Sequence, residues 1–161
     1  MRFLVFVFCF MLCACGFRPL YSSDKAVLAQ SEAVQIQPIS GDGGYQMSLI
    51  LQTKLNPEQH TVSPKYRLSV QLTQPTYVNQ SIRGDNFATL ESMRMQAHYR
   101  LVSIEDERTL ISTKVDSNGL FNLIKDPYAT TVAKDKLYDN LIKLMAEDIA
   151  AHVLAYFKGE N

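Results

Sequence analysis

Two runs in this chain alternate apolar and polar residues with the two-residue period of a β-strand. The first covers residues 66–73 (YRLSVQLT) and the second covers residues 93–101 (MRMQAHYRL). A third strand is predicted around residues 110–115, after the turn Glu105-Asp106-Glu107. Because short turns separate these runs, we expect an antiparallel meander. One face of each strand is apolar and the other polar, so helices should cover the sheet on one side only.

Two other segments have the period of an amphipathic helix. In residues 45–55, Met47, Leu51 and Leu55 recur every four residues, and Asn56-Pro57 ends the helix. From about residue 130 to residue 157, the apolar side chains fall within an arc of roughly 120°. They are Tyr138, Leu141, Ile142, Met145, Ile149, Val153 and Tyr156, and the opposite face carries Lys136, Asp139, Lys143 and Glu147.

A further short strand is predicted at residues 33–39, where Val34 and Ile36 flank Gln35 and Pro38 limits the strand to an end or an edge. The predicted order of elements is therefore β-α-β-β-β-α. This order indicates an α+β fold in which two helices pack on one face of a four-stranded mixed sheet.

The N-terminus has the organisation of a secretory signal. Within residues 1–14 (MRFLVFVFCFMLCA), Arg2 precedes an apolar run that is shorter than the roughly 20 residues needed to span a bilayer. The three cysteines all fall in the first fifteen residues, at Cys9, Cys13 and Cys15. Neither a disulfide nor a cysteine metal cluster can therefore form within residues 16–161.

The segment Leu12-Cys13-Ala14-Cys15 resembles the lipobox of bacterial lipoproteins. That resemblance implies that Cys15 is lipidated and becomes the mature N-terminus, held stably in a membrane by two or more acyl chains. Gly16, where aspartate would be the usual inner-membrane retention signal, favours the outer membrane. The alternative is a cleaved soluble protein in which Cys15 is incidental. We predict a lipoprotein signal peptide at residues 1–14, a lipidated tether at 15–32 and a single α/β sandwich domain at 33–158.

Charge and motif content exclude several classes of function. Lysine and arginine together number 16, as do aspartate and glutamate, so the chain is not a nucleic-acid binder that depends on a strongly basic surface. No nucleophile elbow, phosphate-binding loop or metalloprotease motif is present, and the three histidines lie in different predicted elements. We expect no catalytic residues, no cofactor and no metal.

Basic residues on the polar face of the predicted sheet are the candidate site. Arg94 and Arg100 are an even number of residues apart on one strand, Arg67 lies on another, and Arg83 lies in the turn Arg83-Gly84-Asp85-Asn86. Arginine binds phosphate through two parallel hydrogen bonds, so Arg83, Arg94 and Arg100 are the predicted ligands of an anion. The alternative is an ordinary solvated face whose charges discourage edge aggregation.

The segment that follows the predicted lipidation site carries a family resemblance. It reads Cys15-Gly16-Phe17-Arg18-Pro19-Leu20-Tyr21. A lipidated cysteine followed by these residues is similar to the mature start of the LptE family of lipopolysaccharide-assembly lipoproteins, in its alphaproteobacterial branch. The element order also agrees with the sandwich of two helices and four strands in that family, and Tyr128-Ala129 before the last helix is a weaker similarity.

The resemblance implies a role at the outer membrane, on its periplasm-facing side. Family members sit as a plug inside the LptD β-barrel, aid its folding and bind lipopolysaccharide. Arg83, Arg94 and Arg100 rest on the residue pattern and are not transferred from family members. The main alternative is an envelope lipoprotein that serves as a structural or pilot factor for another outer-membrane complex. A lipid-anchored hydrolase is a further alternative, but no nucleophile supports it.

Overall fold

A computed structural model describes residues 25–82, 88–123 and 126–159. These residues form three helices and five strands. In chain order the elements are α1 (Lys25–Glu32), β1 (Val34–Ile36), α2 (Gly44–Leu55), β2 (Tyr66–Leu72), β3 (Thr76–Ile82), β4 (Ala88–Ser103), β5 (Thr109–Asn122) and α3 (Pro127–Gly159).

β4 is the central strand of the sheet. β5 pairs with it antiparallel along almost its whole length, from Leu90 to Val102. The other side of β4 is shared by two strands, because β2 pairs with its C-terminal half and β3 with its N-terminal half. β2 and β3 therefore lie end to end and occupy one strand position. β1 pairs parallel with β2, which confirms the predicted mixed sheet, and its five strands, one more than predicted, occupy four strand positions.

The interruption between β2 and β3 spans residues 73–75. Thr73 holds it against β4, since its backbone N–H donates to the carbonyl oxygen of Gln96 at 2.9 Å and its Oγ1 accepts from the Gln96 N–H at 3.1 Å. Pro75 has no N–H to donate to a sheet. One long strand position is therefore divided by a proline that cannot continue the hydrogen-bonding pattern.

All three helices contribute to one core on one face of the sheet. The side chains predicted to face the core are buried in β2 and β4: they are Leu68, Val70, Met93, Met95, Ala97, Tyr99 and Leu101. Met47, Leu51 and Leu55 of α2 are buried against them, as predicted. From α3 come Leu141, Ile142, Met145, Ile149 and Val153, which confirms the predicted apolar stripe.

The structure differs from the prediction in three places, the first of which is the additional strand β3 at Thr76–Ile82. Residues 25–32, assigned to the tether, form α1, whose Val27 packs against the core and whose Ser31 is buried. The third predicted strand, expected to end near Val115, continues to Asn122. Gly119, which lies beyond the predicted end of this strand, is inside it and opposite Met93, where Leu137 of α3 packs over it.

Candidate functional site

The face of the sheet opposite the helices is open to solvent. Along β4, Arg94, His98 and Arg100 are exposed and Gln96 is half-buried, while the residues between them are buried in the core. This is the alternation predicted from the sequence, and it places Arg94 and Arg100 on the same face. We call this surface the open face: the polar side of β2, β3, β4 and β5.

Basic side chains lie close together at one end of the open face. His98 is paired with Gln71 on one side and with Lys114 on the other, and Arg100 lies two residues further along β4. Directly opposed side chains on neighbouring strands have Cβ atoms about 5 Å apart, so His98 and Lys114 are direct neighbours. The surface here forms a concavity of about 620 Å³, whose lining includes Ser69, Gln71, His98, Arg100, Ser112 and Lys114.

The two arginines of β4 are available for a ligand. Within residues 25–82, 88–123 and 126–159, neither the Arg94 nor the Arg100 guanidinium has an ion pair or a side-chain hydrogen bond. Lys114 is only loosely paired, because its Nζ lies 3.9 Å from Oδ1 of Asp116. That carboxylate oxygen also accepts a hydrogen bond from Nε2 of Gln96. Among the described residues, the open face thus carries several basic side chains and one carboxylate, that of Asp116, which Gln96 already binds.

The structure describes two of the three predicted anion ligands. Arg94 and Arg100 share the open face, about 20 Å apart at the rise of an extended strand. Arg83 and the predicted lipidation site Cys15 lie outside the described residues. Lys114 and His98 were not among the predicted ligands. Lys114 alternates with Val115 in the third predicted strand, so the strand pattern alone was enough to place it on this face.

A second polar cluster lies away from the open face, where α1 meets the loop after α2. Nδ1 of His60 is 3.1 Å from the Glu32 carboxylate, and Nε2 is 3.3 Å from the Glu58 carboxylate. The two carboxylates therefore lie at opposite nitrogens of one ring. Two ligands on opposite sides of an imidazole cannot share a metal ion with it, so this arrangement ties the end of α1 to the loop.

Two tyrosines on the helix side have perturbed acidity. Burial raises the pKa of Tyr99, and the negative charge of Asp148 raises it further. Burial also raises the pKa of Tyr138, with smaller contributions from Asp42 and other nearby groups, and the Tyr138 hydroxyl donates to the Asp42 carbonyl oxygen. Both phenols stay protonated at neutral pH and act as hydrogen-bonding groups.

None of the helices in the described part of the chain has the length and apolarity needed to cross a bilayer.

Comparison with known proteins identifies the fold. No family model matches the chain. An uncharacterized protein of Rickettsia prowazekii is 28% identical over 158 residues, which is 98% of each chain.

Two solved structures share the architecture. A candidate lipoprotein of Caulobacter crescentus has a TM-score of 0.67 at 15% identity, over 85% of this chain and 99% of that one. Rare lipoprotein B of Shewanella oneidensis has a TM-score of 0.59 at 9% identity, over 78% of this chain and 98% of that one. At such identities, the likeness establishes a shared fold.

Proposed function

We propose that this protein is an outer-membrane lipoprotein that partners an LptD-type β-barrel in lipopolysaccharide assembly, acting as its plug and folding aid and not as an enzyme. One coincidence carries the proposal. A lipobox-like sequence followed by Cys15-Gly16-Phe17-Arg18-Pro19-Leu20-Tyr21 precedes a domain whose fold is shared with a candidate lipoprotein and with rare lipoprotein B. The sequence motif and the fold comparison are independent of one another, and both point to lipoproteins of the bacterial envelope.

The open face is where we propose that lipopolysaccharide binds. The lipid part of lipopolysaccharide is phosphorylated, and guanidinium groups recognise phosphate through two parallel charge-assisted hydrogen bonds. Arg94 and Arg100 are exposed and free of ion pairs in the described part of the chain, and Lys114 and His98 lie beside Arg100. Arg83, which the sequence predicts to lie in a turn, would add a further cation.

The anchor is tested by labelling with palmitate. Cys15→Ser removes the thiol, so we expect loss of the label and of lipoprotein processing. Equal labelling of the wild type and the variant would contradict the lipoprotein assignment.

The partner is tested by co-purification. After mild detergent extraction of envelopes, an LptD-type barrel is expected to be recovered with the affinity-tagged protein. Recovery of a different outer-membrane complex without this barrel would instead support the role of structural or pilot factor.

The ligand is tested by charge reversal on the open face. Arg94→Glu with Arg100→Glu should weaken binding of purified lipopolysaccharide and reduce its dependence on salt. Lys136→Glu with Lys143→Glu changes the net charge equally on the exposed face of α3 and is the matched control. Equal affinities of the two double variants would show that only net charge matters, and would remove the open face as the site.

A further inference from the structure

The open face changes its character along β4. Successive residues of β4 on this face are Leu90, Ser92, Arg94, Gln96, His98 and Arg100. The basic side chains begin at Arg94 and continue toward the C-terminal end of the strand. The N-terminal end, before Arg94, carries no charged side chain on this face among the described residues.

Apolar side chains flank Ser92 on both neighbouring strands. Ser92 is paired with Val78 of β3 and with Leu120 of β5, whose side chains are 55% and 59% exposed. Their orientation is fixed by their neighbours in sequence. Tyr77 and Phe121 contact each other on the helix side, so Val78 and Leu120 point to the open face. Leu90, half-buried, lies two residues before Ser92 on the same face.

The one hydroxyl at the centre of this group is already satisfied by the protein. Ser92 Oγ donates to the carbonyl oxygen of Val78 at 3.3 Å and accepts from Nε2 of Gln80 at 3.0 Å. Across two strand spacings, Val78 and Leu120 are about 10 Å apart. We call the surface formed by Val78, Leu90, Ser92 and Leu120 the apolar end of the open face.

We propose that the open face binds an anionic amphiphile in one orientation, with its phosphates at Arg94, Arg100 and Lys114 and its hydrocarbon chains on the apolar end. The inference rests on the proposed function and adds to it a hydrocarbon subsite and a direction along β4. The charged and the apolar parts of the open face together favour this ligand. A ligand with phosphates and no hydrocarbon would leave the apolar end exposed to water, and a purely apolar ligand would leave the guanidinium groups without a partner.

The dimensions suit such a ligand. Ser92 and Arg94 are two residues apart, so the first cation begins about 7 Å from the centre of the apolar end. From Ser92 to Arg100 the strand extends about 27 Å, which places the concavity beside Arg100 at the opposite end of the face. Phosphates close to the chains would therefore meet Arg94, and more distant anionic groups would meet Arg100 and Lys114.

The test compares two ligands that differ only in their hydrocarbon. Intact lipopolysaccharide and its chemically deacylated form, which keeps its phosphates, are titrated into the mature protein at one fixed detergent concentration. In Val78→Thr with Leu120→Thr, a β-branched residue keeps the strand preference while apolar surface is removed. We expect binding of intact lipopolysaccharide to weaken about tenfold, from the apolar area no longer buried, and binding of the deacylated form to stay unchanged.

A matched control removes apolar surface elsewhere. Leu49→Gln with Leu144→Gln changes two exposed leucines on α2 and α3, and should alter neither affinity. A second variant acts in the opposite direction: Gln80→Leu enlarges the apolar end and should strengthen binding of the intact ligand alone. Thermal unfolding of each variant checks that the fold is retained.

The outcomes separate the subsite from the function on which it depends. Equal weakening of both ligands, or no weakening, would overturn the hydrocarbon subsite while leaving lipopolysaccharide binding in place. Loss of the barrel with unchanged ligand binding would make the apolar end a protein-docking surface, which also overturns the subsite. If the wild type bound neither ligand, the proposed function itself would fail.

Discussion

The hydroxyl of Tyr99 lies 2.7 Å from Nδ1 of His152, so a hydrogen bond joins the central strand β4 to α3. The two rings are also stacked, with their planes at 25°. Tyr99 is 3% exposed, whereas His152 is at the surface. A buried hydroxyl needs a partner, and His152 supplies one at the edge of the core.

Removing this hydroxyl should lower stability measurably. Tyr99→Phe keeps the ring and loses the hydrogen bond, so we expect a cost of about 0.5–1.5 kcal/mol in the free energy of unfolding. Urea unfolding at neutral pH measures it. Tyr45→Phe removes the same atom from a ring that is 81% exposed, and should change stability by less than about 0.5 kcal/mol. Equal costs at the two positions would mean that the Tyr99–His152 bond contributes nothing.

Stability should also fall in alkali because of the buried phenol of Tyr99 and the partly buried phenol of Tyr138. Tyr99 and Tyr138 have pKa values raised above the ordinary value of 10.0. Above pH 10, the unfolded chain loses these protons while the folded chain retains them, so the folded state binds more protons and stability decreases with rising pH. The contribution is complete below pH 10 and is lost as pH rises through the raised pKa values.

The alkaline decrease is measured by urea unfolding at pH 8 and at pH 10.5. The double variant Tyr99→Phe/Tyr138→Phe should show a smaller decrease between the two pH values than the wild type does. Tyr45→Phe/Tyr128→Phe removes two exposed phenols and serves as the control, with the wild-type decrease retained. An unchanged decrease in the first variant would exclude Tyr99 and Tyr138 as its cause.

The apolar stripe of α3 should dominate the stability of the domain. Leu141 is 1% exposed and Met145 is fully buried. Truncating either residue to alanine should cost about 2–5 kcal/mol, since the lost contacts leave a cavity in the core. Lys143→Ala, on the solvent side of the same helix, should cost less than about 0.5 kcal/mol. Comparable shifts in Tm for all three variants would contradict the orientation of α3.

Two glycines should respond differently to the same substitution. A Cβ at Gly44 would clash with the carbonyl oxygen of Ile39, which belongs to the backbone and cannot move cheaply. Gly44→Ala should therefore destabilise the protein by about 1–3 kcal/mol. At Gly159, the last residue of α3, a Cβ would meet nothing within 4 Å, so Gly159→Ala should be neutral or slightly stabilising. Thermal unfolding of the two variants tests the close approach between Ile39 and α2.

Local periodicity was sufficient to predict much of the fold. The alternation in β2 and β4 and the stripe of α3 predicted which side chains are buried, because each face of these elements has a single environment. For the same reason, the even spacing of Arg94 and Arg100 was enough to predict that they share the polar face of the sheet. Periodicity does not show which elements pack or pair with each other, because that is decided by contacts between residues distant in sequence.

Gly119 shows how contacts distant in sequence can override a local pattern. Asn118-Gly119 is a turn signal when read locally, yet the pair lies inside β5, because β4 is long enough to extend the pairing and the missing Cβ lets Leu137 pack there. α1 has a similar origin. Its sequence is short and weakly patterned, and the packing of Val27 against the core is a tertiary effect.

The apolar end of the open face was missed for a related reason. Val78 lies in a strand that the residue pattern did not predict, since Pro75 interrupts the strand position that β2 and β3 share. Leu120 lies beyond the predicted end of the third strand. Only the pairing of both residues with Ser92 brings them to one place.

Removing the carboxylate of Asp116 should strengthen lipopolysaccharide binding, if the open face is the site. Asp116 lies 3.9 Å from Nζ of Lys114, so it repels an incoming phosphate and competes for the cation. Asp116→Asn keeps an oxygen that can accept from Gln96 while removing the charge. At low salt, loss of one repulsive charge nearby is worth about 1 kcal/mol, or about fivefold in affinity, and screening should reduce the gain as salt rises.

Asp139→Asn, exposed on α3, makes the same change in net charge away from the face and should leave the affinity unchanged. Equal affinities of these two variants for lipopolysaccharide at low salt would argue that phosphate does not approach Lys114.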